Sequence, residues 1–82
     1  MKRSAQKMLD ALKEAGHPLR WYEIGILAYP LSVKRRTNIL GQPFDDLVGS
    51  GLSAAHQGIG ELEEAGLVTM DDTFRYTVRA KP

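Results

Sequence analysis

Few residues in this chain can do chemistry. It has no cysteine, which excludes thiolate nucleophiles, thiolate metal sites and disulfide staples together. Its two histidines, His17 and His56, fall on separate elements, and neither belongs to a ligand pattern such as His-Glu-x-x-His. Asp45-Asp46 and Asp71-Asp72 are acidic pairs, but positions at a helix start and in a turn account for both. There is no serine elbow. Gly49 and Gly51 precede a helical pattern as in a phosphate-binding loop, yet the Gly-Lys-Ser/Thr ending and the preceding strand are missing. The reading is therefore of a protein that is not an enzyme, with no catalytic residue, metal ligand or cofactor expected.

What remains is binding chemistry. Lys34-Arg35-Arg36 is the densest run of positive charge. Arg75 and Arg79 share one face of the last strand pattern, Arg20 lies near the start of a second helix, and Lys2, Arg3 and Lys7 lead the first. A solvated face is the ordinary fate of such a run, and contact with phosphates is the functional alternative. The net charge of +1 is too small to argue nucleic-acid binding from the total, so the placement of the charges decides.

The elements that position these groups must fit one small domain. Eighty-two residues make a single unit, residues 1–82, that buries roughly 60–65% of its unfolded surface. Pairing with a second copy is an ordinary way to add buried area, so a homodimer is admitted. Apolar residues at 43% and charged residues at 26% have the balance of a soluble globular chain. No apolar run approaches the roughly 18 residues that cross a bilayer, and no apolar stretch follows the basic Met1-Lys2-Arg3-Ser4. A cytoplasmic protein without membrane contact is expected.

In chain order, residues 3–15 read as a helix with Ala5, Met8, Leu9 and Leu12 on one face, Ser4 as its cap and Gly16 as its stop. A short Pro-Leu-Arg extended piece leads into a second helix with Ile24, Leu27 and Ala28 inward, closed before Pro30. Trp21 or Tyr22 is expected at the joint between helices. Residues 29–51 read as a further helical segment. Ser32 caps a piece from Val33 to Leu40, with Val33, Thr37 and Leu40 inward, and Pro43 opens another turn or two carrying Phe44, Leu47 and Val48. Gly49-Ser50-Gly51 reads as a hinge.

The next helix, residues 53–65, has Ser53 as N-cap and Gly66 at C′, with Ala55, Ile59 and Leu62 spaced as one apolar stripe. Gly58 and Gly60 each cost a helix interior about 1 kcal/mol relative to alanine, so each needs a reason. That reason is either approach to a phosphate or tight packing against the 29–51 segment or a partner helix. A hairpin follows, with Leu67–Met70 and Phe74–Arg79 as strands around Asp71-Asp72-Thr73. Phe74, Tyr76 and Val78 alternate onto one face. Ala80-Lys81-Pro82 is expected to fray.

A capped helix ending in Glu-Ala-Gly-Leu-Val before two short strands resembles the recognition helix and wing of the winged helix-turn-helix family. The resemblance covers residues 3–28 and 52–79. It implies an α+β fold, a small winged helix of three core helices and a C-terminal hairpin wing, here with residues 29–51 inserted between the second helix and the recognition helix. It also implies binding to double-stranded DNA, as a small transcriptional regulator or DNA-transaction factor of bacterial or phage type. Ser53, Ala54, His56 and Gln57 would then face the bases, with Gln57 able to pair bidentately with adenine. Arg20, Lys34, Arg35, Arg36 and Arg75 would hold phosphates. Two features depart from the family pattern: no Lys or Arg lies on the recognition helix, and aspartates occupy the wing turn. They favour the alternative, a winged helix that docks on a protein partner.

Overall fold

The computed structural model describes residues 2–79. The chain is α+β, with three helices and two small antiparallel hairpins. Helix α1 runs Arg3–Ala15 and α2 Trp21–Ala28. A 3-10 turn at Pro30–Ser32 leads to the hairpin of β1 (Val33–Thr37) and β2 (Pro43–Leu47). Helix α3 spans Gly49–Glu64, and β3 (Val68–Met70) pairs with β4 (Tyr76–Val78). Leu19, between α1 and α2, bonds back to β4, its N–H reaching the Tyr76 carbonyl at 3.1 Å. The expectation for Ala80-Lys81-Pro82 lies outside the described residues.

The helices form where their apolar spacing puts one face inward. Ala5, Met8, Leu9 and Leu12 of α1 meet Ala55, Ile59 and Leu62 of α3, with Ile24 of α2 between them. Met8, Ile24 and Leu62 are fully buried, and each contributes about 1.5–3 kcal/mol relative to exposure. Leu47, Leu19, Val68 and Tyr76 close the core from the strands. Gly16 and Gly66 end α1 and α3 at φ 72° and 71°, the left-handed conformation that spares them a Cβ clash. At α3 the Leu67 N–H reaches the Leu62 carbonyl and the Gly66 N–H that of Glu63, both at 3.0 Å, satisfying two otherwise free carbonyls.

Several expectations are corrected. The helical reading of Val33–Leu40 and of the turn after Pro43 gives way to a hairpin in which Val33 pairs with Leu47 and Thr37 with Pro43. Ser32 caps no helix there, and Thr37 and Leu40 face solvent. Across the strands Arg35 Nε meets its register partner Asp45 at 2.8 Å, and Arg36 Nε meets Asp46 on the diagonal at 2.6 Å, contacts that this antiparallel register brings together.

Neither Ser4 nor Ser53 is an N-cap. Lys2 and Val48 hold those positions, and neither bonds the helix through its side chain. Gly49-Ser50-Gly51 is the first turn of α3 rather than a hinge. Gly51 is buried, and a Cβ on it would collide with the Ser32 side chain and stand 3.1 Å from Tyr29 Cβ. Leu27, expected inward, is exposed, and Gly25 takes the inner position. A Cβ on Gly25 would stand 2.8 Å from Ala55 Cβ, so α2 and α3 approach closely there. Phe74 leaves the face of Tyr76 and Val78. It sits in the turn at φ 64° and points to solvent.

Candidate nucleic-acid interface

The four residues expected to face bases lie together on the front half of α3. Ser53, His56 and Gln57 are exposed and Ala54 is half-buried, because the stripe of Gly51, Ala55, Gly58, Ile59 and Leu62 turns the other side inward. Among the described residues, the Ser53, His56 and Gln57 side chains make no internal hydrogen bond, so their polar atoms are open to a partner. The His56 ring stands edge-on to Trp21 at 5.4 Å, and Trp21 stands edge-on to Tyr22 at 6.2 Å. An aromatic row from the start of α2 thus fixes the imidazole against one side of α3. The sequence expectation of Trp21 or Tyr22 at the helix joint did not include His56 as a neighbour.

The rear half of α3 carries its acidic residues, and two of them have partners. Glu63 accepts a hydrogen bond from the Tyr76 hydroxyl at 2.8 Å, tying α3 to β4. Burial, with the bond to Glu63, pushes the Tyr76 phenol up to about 12. Glu61 pairs with Lys2 at 3.2 Å. Glu61 lies one turn from Gln57, and with Glu64 it lines the same surface depression as His56 and Gln57.

Gly58 is explained by packing. A Cβ there would stand 2.7 Å from the Ser4 carbonyl oxygen and 2.9 Å from Met8 Cγ, so α3 presses on α1 at this point. It is buried and therefore contacts no phosphate. Gly60 has nothing within 4 Å and lies half-buried beside Gln57.

The residues expected to hold phosphates fall into separate groups. Lys34, Arg35 and Arg36 lie on β1, exposed, with Arg35 and Arg36 already paired to Asp45 and Asp46. Lys34 forms no ion pair among the described residues. Arg20 sits at the N-terminal end of α2, where its own N–H is capped by Glu23 at 3.0 Å. Its guanidinium reaches the Thr73 carbonyl at 3.4 Å and the Tyr22 hydroxyl at 3.3 Å, linking α2 to the second hairpin. The Tyr22 bond raises its pKa further. Arg75 is half-buried at the end of that turn.

Asp71 has an internal role in the turn. Its carboxylate accepts from the Thr73 hydroxyl at 2.6 Å, the Thr73 N–H at 2.8 Å and the Arg75 N–H at 3.1 Å. Those bonds, the Thr73 hydroxyl first, hold its pKa below the usual aspartate value. An aspartate at the β3–β4 turn is thus what the turn itself requires.

Sequence reasoning missed three features: the Asp45 and Asp46 partners, the exposed Ile39 and Leu40 between the strands, and a shallow groove lined by Arg20, Trp21, Tyr22, Met70, Phe74 and Tyr76. The first had a signal. Lys34-Arg35 and Asp45-Asp46 stand at mirrored distances from the turn at 38–42, with Arg36 opposite Phe44, a spacing that suits a charge-matched hairpin. Among the described residues, no helix is long and apolar enough to cross a membrane. In comparisons with known proteins, no family model matches the chain, and neither does any curated protein or solved structure.

Proposed function

We propose that the chain is a cytoplasmic double-stranded DNA-binding protein of winged-helix topology, a small transcriptional regulator or DNA-transaction factor of bacterial or phage type. The front of α3 enters the major groove, with β3–β4 as the wing. The element order supports this: helix, a bridging residue at Leu19, helix, a longer helix, and a terminal hairpin. The β1–β2 hairpin is the insertion.

The observation that carries the reading is the division of α3. Ser53, His56 and Gln57 offer unpartnered donors and acceptors at the front, while Glu61 and Glu63 are engaged at the rear. Base edges are read by such side chains, and phosphates are held by separate cations. Lys34 on β1 and Arg20 at the start of α2 supply cations from the elements before α3, Arg35 and Arg36 add to them once phosphate competes with Asp45 and Asp46, and Arg75 adds to them from the β3–β4 turn. Two copies on a two-fold site fit this scheme.

One observation favours docking on a protein instead. Asp45 and Asp46 neutralise Arg35 and Arg36, and Leu31 and Phe44 are exposed close by in sequence. Against it, Gly58 is spent on α1 and offers no surface for a partner helix.

A nuclear magnetic resonance titration with a duplex of mixed sequence separates the two. The DNA reading expects the amide shifts to concentrate at 50–57 and 34–36, sparing 61–64. Shifts absent from 50–57, or a free chain indifferent to duplex, remove it.

A further inference from the structure

The groove lined by Arg20, Trp21, Tyr22, Met70, Phe74 and Tyr76 lies where the start of α2 meets the β3–β4 hairpin, and its volume is about 360 Å³. That is the lower end of the roughly 300–1,000 Å³ of small-molecule sites, and it suits a ligand of one or two rings. Tyr22, Met70 and Phe74 are exposed there, although all three are large and largely apolar.

Phe74 is held in the groove wall against its own preference. Its φ of 64° is a left-handed backbone that bulky side chains rarely adopt and glycine adopts freely. The turn fixes it, with the Phe74 N–H on the Asp71 carbonyl at 3.1 Å and the Asp71 N–H on the Arg75 carbonyl at 2.9 Å. With 67% of its surface in water, the ring adds little to the core.

Arg20 brings a charge to the same groove. Its Nε donates to the Thr73 carbonyl and its Nη1 to the Tyr22 hydroxyl. A guanidinium has five N–H donors, so one on Nη1 and both on Nη2 are left over. Among the described residues, no carboxylate stands within ion-pair distance of it. A fixed cation with donors to spare, beside exposed aromatic rings, is complementary to an anion joined to a flat ring.

We propose that this groove binds a small planar aromatic carboxylate, with its ring against Tyr22 and Phe74 and its carboxylate on the Arg20 fork. The neighbours favour a single charge. Glu23 accepts from the Arg20 N–H at 3.0 Å, and Asp71 accepts from Thr73, whose carbonyl takes Nε. A dianion such as a phosphate monoester would meet both carboxylates close to its one cation. A monocarboxylate matches the guanidinium in charge and in its two-pronged geometry. The site goes beyond the DNA reading and does not rest on it, since binding is measured on the free chain. Arg20 is one of the cations named for phosphate, and a bound acid takes the same donors.

The test is a nuclear magnetic resonance titration of the full chain with indole-3-acetate, with indole-3-acetamide as the uncharged probe and acetate as the ringless one. Indole-3-acetate should give saturable shifts at 20–22 and 70–76, with a dissociation constant on the order of 0.1–1 mM. Both controls should bind at least about tenfold more weakly. Phe74→Gly should also weaken indole-3-acetate about tenfold, yet melt within about 5 degrees of wild type, because glycine takes this φ freely. Arg20→Gln should bind the acid no better than wild type binds the amide. No saturable shift up to roughly 10 mM overturns the site, as do shifts that saturate elsewhere on the chain. Amide binding as tight as the acid overturns the role of Arg20, and with it the carboxylate. Phe74→Gly binding the acid as wild type does, or melting far below it, overturns the role of the ring.

Discussion

Gly58 of α3 lies so near Ser4 of α1 that a Cβ on it would stand 2.7 Å from the Ser4 carbonyl oxygen. Backbone cannot yield as a side-chain end does, so Gly58→Ala should destabilise the fold by about 1–3 kcal/mol despite its better helix propensity. Gly60, two residues on, has open space around its Cβ position, and Gly60→Ala should stabilise by about 0.5–1 kcal/mol. Urea unfolding of the two variants decides the matter. A Gly58→Ala variant as stable as wild type or more so would mean that the α1–α3 approach is looser than described.

Tyr76 gives a pH prediction. Its phenol is pushed up to about 12, by burial first and the Glu63 bond second, against about 10 in the unfolded chain. A raised pKa means the folded state holds the proton longer. Its contribution is therefore complete below about pH 10 and is lost as the pH rises toward about 12. An absorbance titration of phenolate should show a late step near the top of the alkaline range, and Tyr76→Phe should remove it. The same variant should lower stability by about 1 kcal/mol. A late step that Tyr76→Phe leaves in place, or no late step at all, would contradict the burial and Glu63 contact of Tyr76.

The hairpin charges predict an effect opposite to most substitutions at acidic residues. Asp45→Asn with Asp46→Asn removes two exposed ion pairs, each contributing about 0–1 kcal/mol, so the melting temperature should move little. Arg35 and Arg36 are then free for phosphates. Duplex affinity at low salt should rise, and the salt dependence should steepen by about 1–2 in log–log slope. The counterpart, Arg35→Ala with Arg36→Ala, should weaken binding to all sequences alike and flatten the slope. Identical salt slopes for the two double variants would sink the phosphate role of β1.

Much of the helical frame was legible before the fold was known, and the reasons are local. The bounds of α1 follow from its apolar face and from Gly16, and the end of α3 from Gly66, because each signal acts within one turn of chain. The stripe of Ala55, Ile59 and Leu62 is buried as its spacing implies. The β1–β2 hairpin was illegible for a physical reason. A strand declares itself by apolar alternation, and this one is wet on both faces, so Ser32 with the spacing of Val33, Thr37 and Leu40 reads as a capped helix. Its order comes from Asp45 and Asp46 across the strands and from Asn38 in the turn, partners that periodicity does not detect. Ser53 was misplaced because the glycines before it looked like a hinge, whereas Gly51 is needed for contact with Ser32 and Tyr29. The shared exposure of Ser53, His56 and Gln57 on α3 was legible from helical spacing. The edge contact of Trp21 with His56 depends on tertiary structure and was not.

The most direct test of the central claim is a fluorescence anisotropy titration of a labelled mixed-sequence duplex with the wild-type chain, at low salt and again at physiological salt. Saturable binding within the micromolar range at low salt, weakening as salt rises, is the predicted result. No change in anisotropy up to on the order of tens of micromolar at low salt would contradict the account.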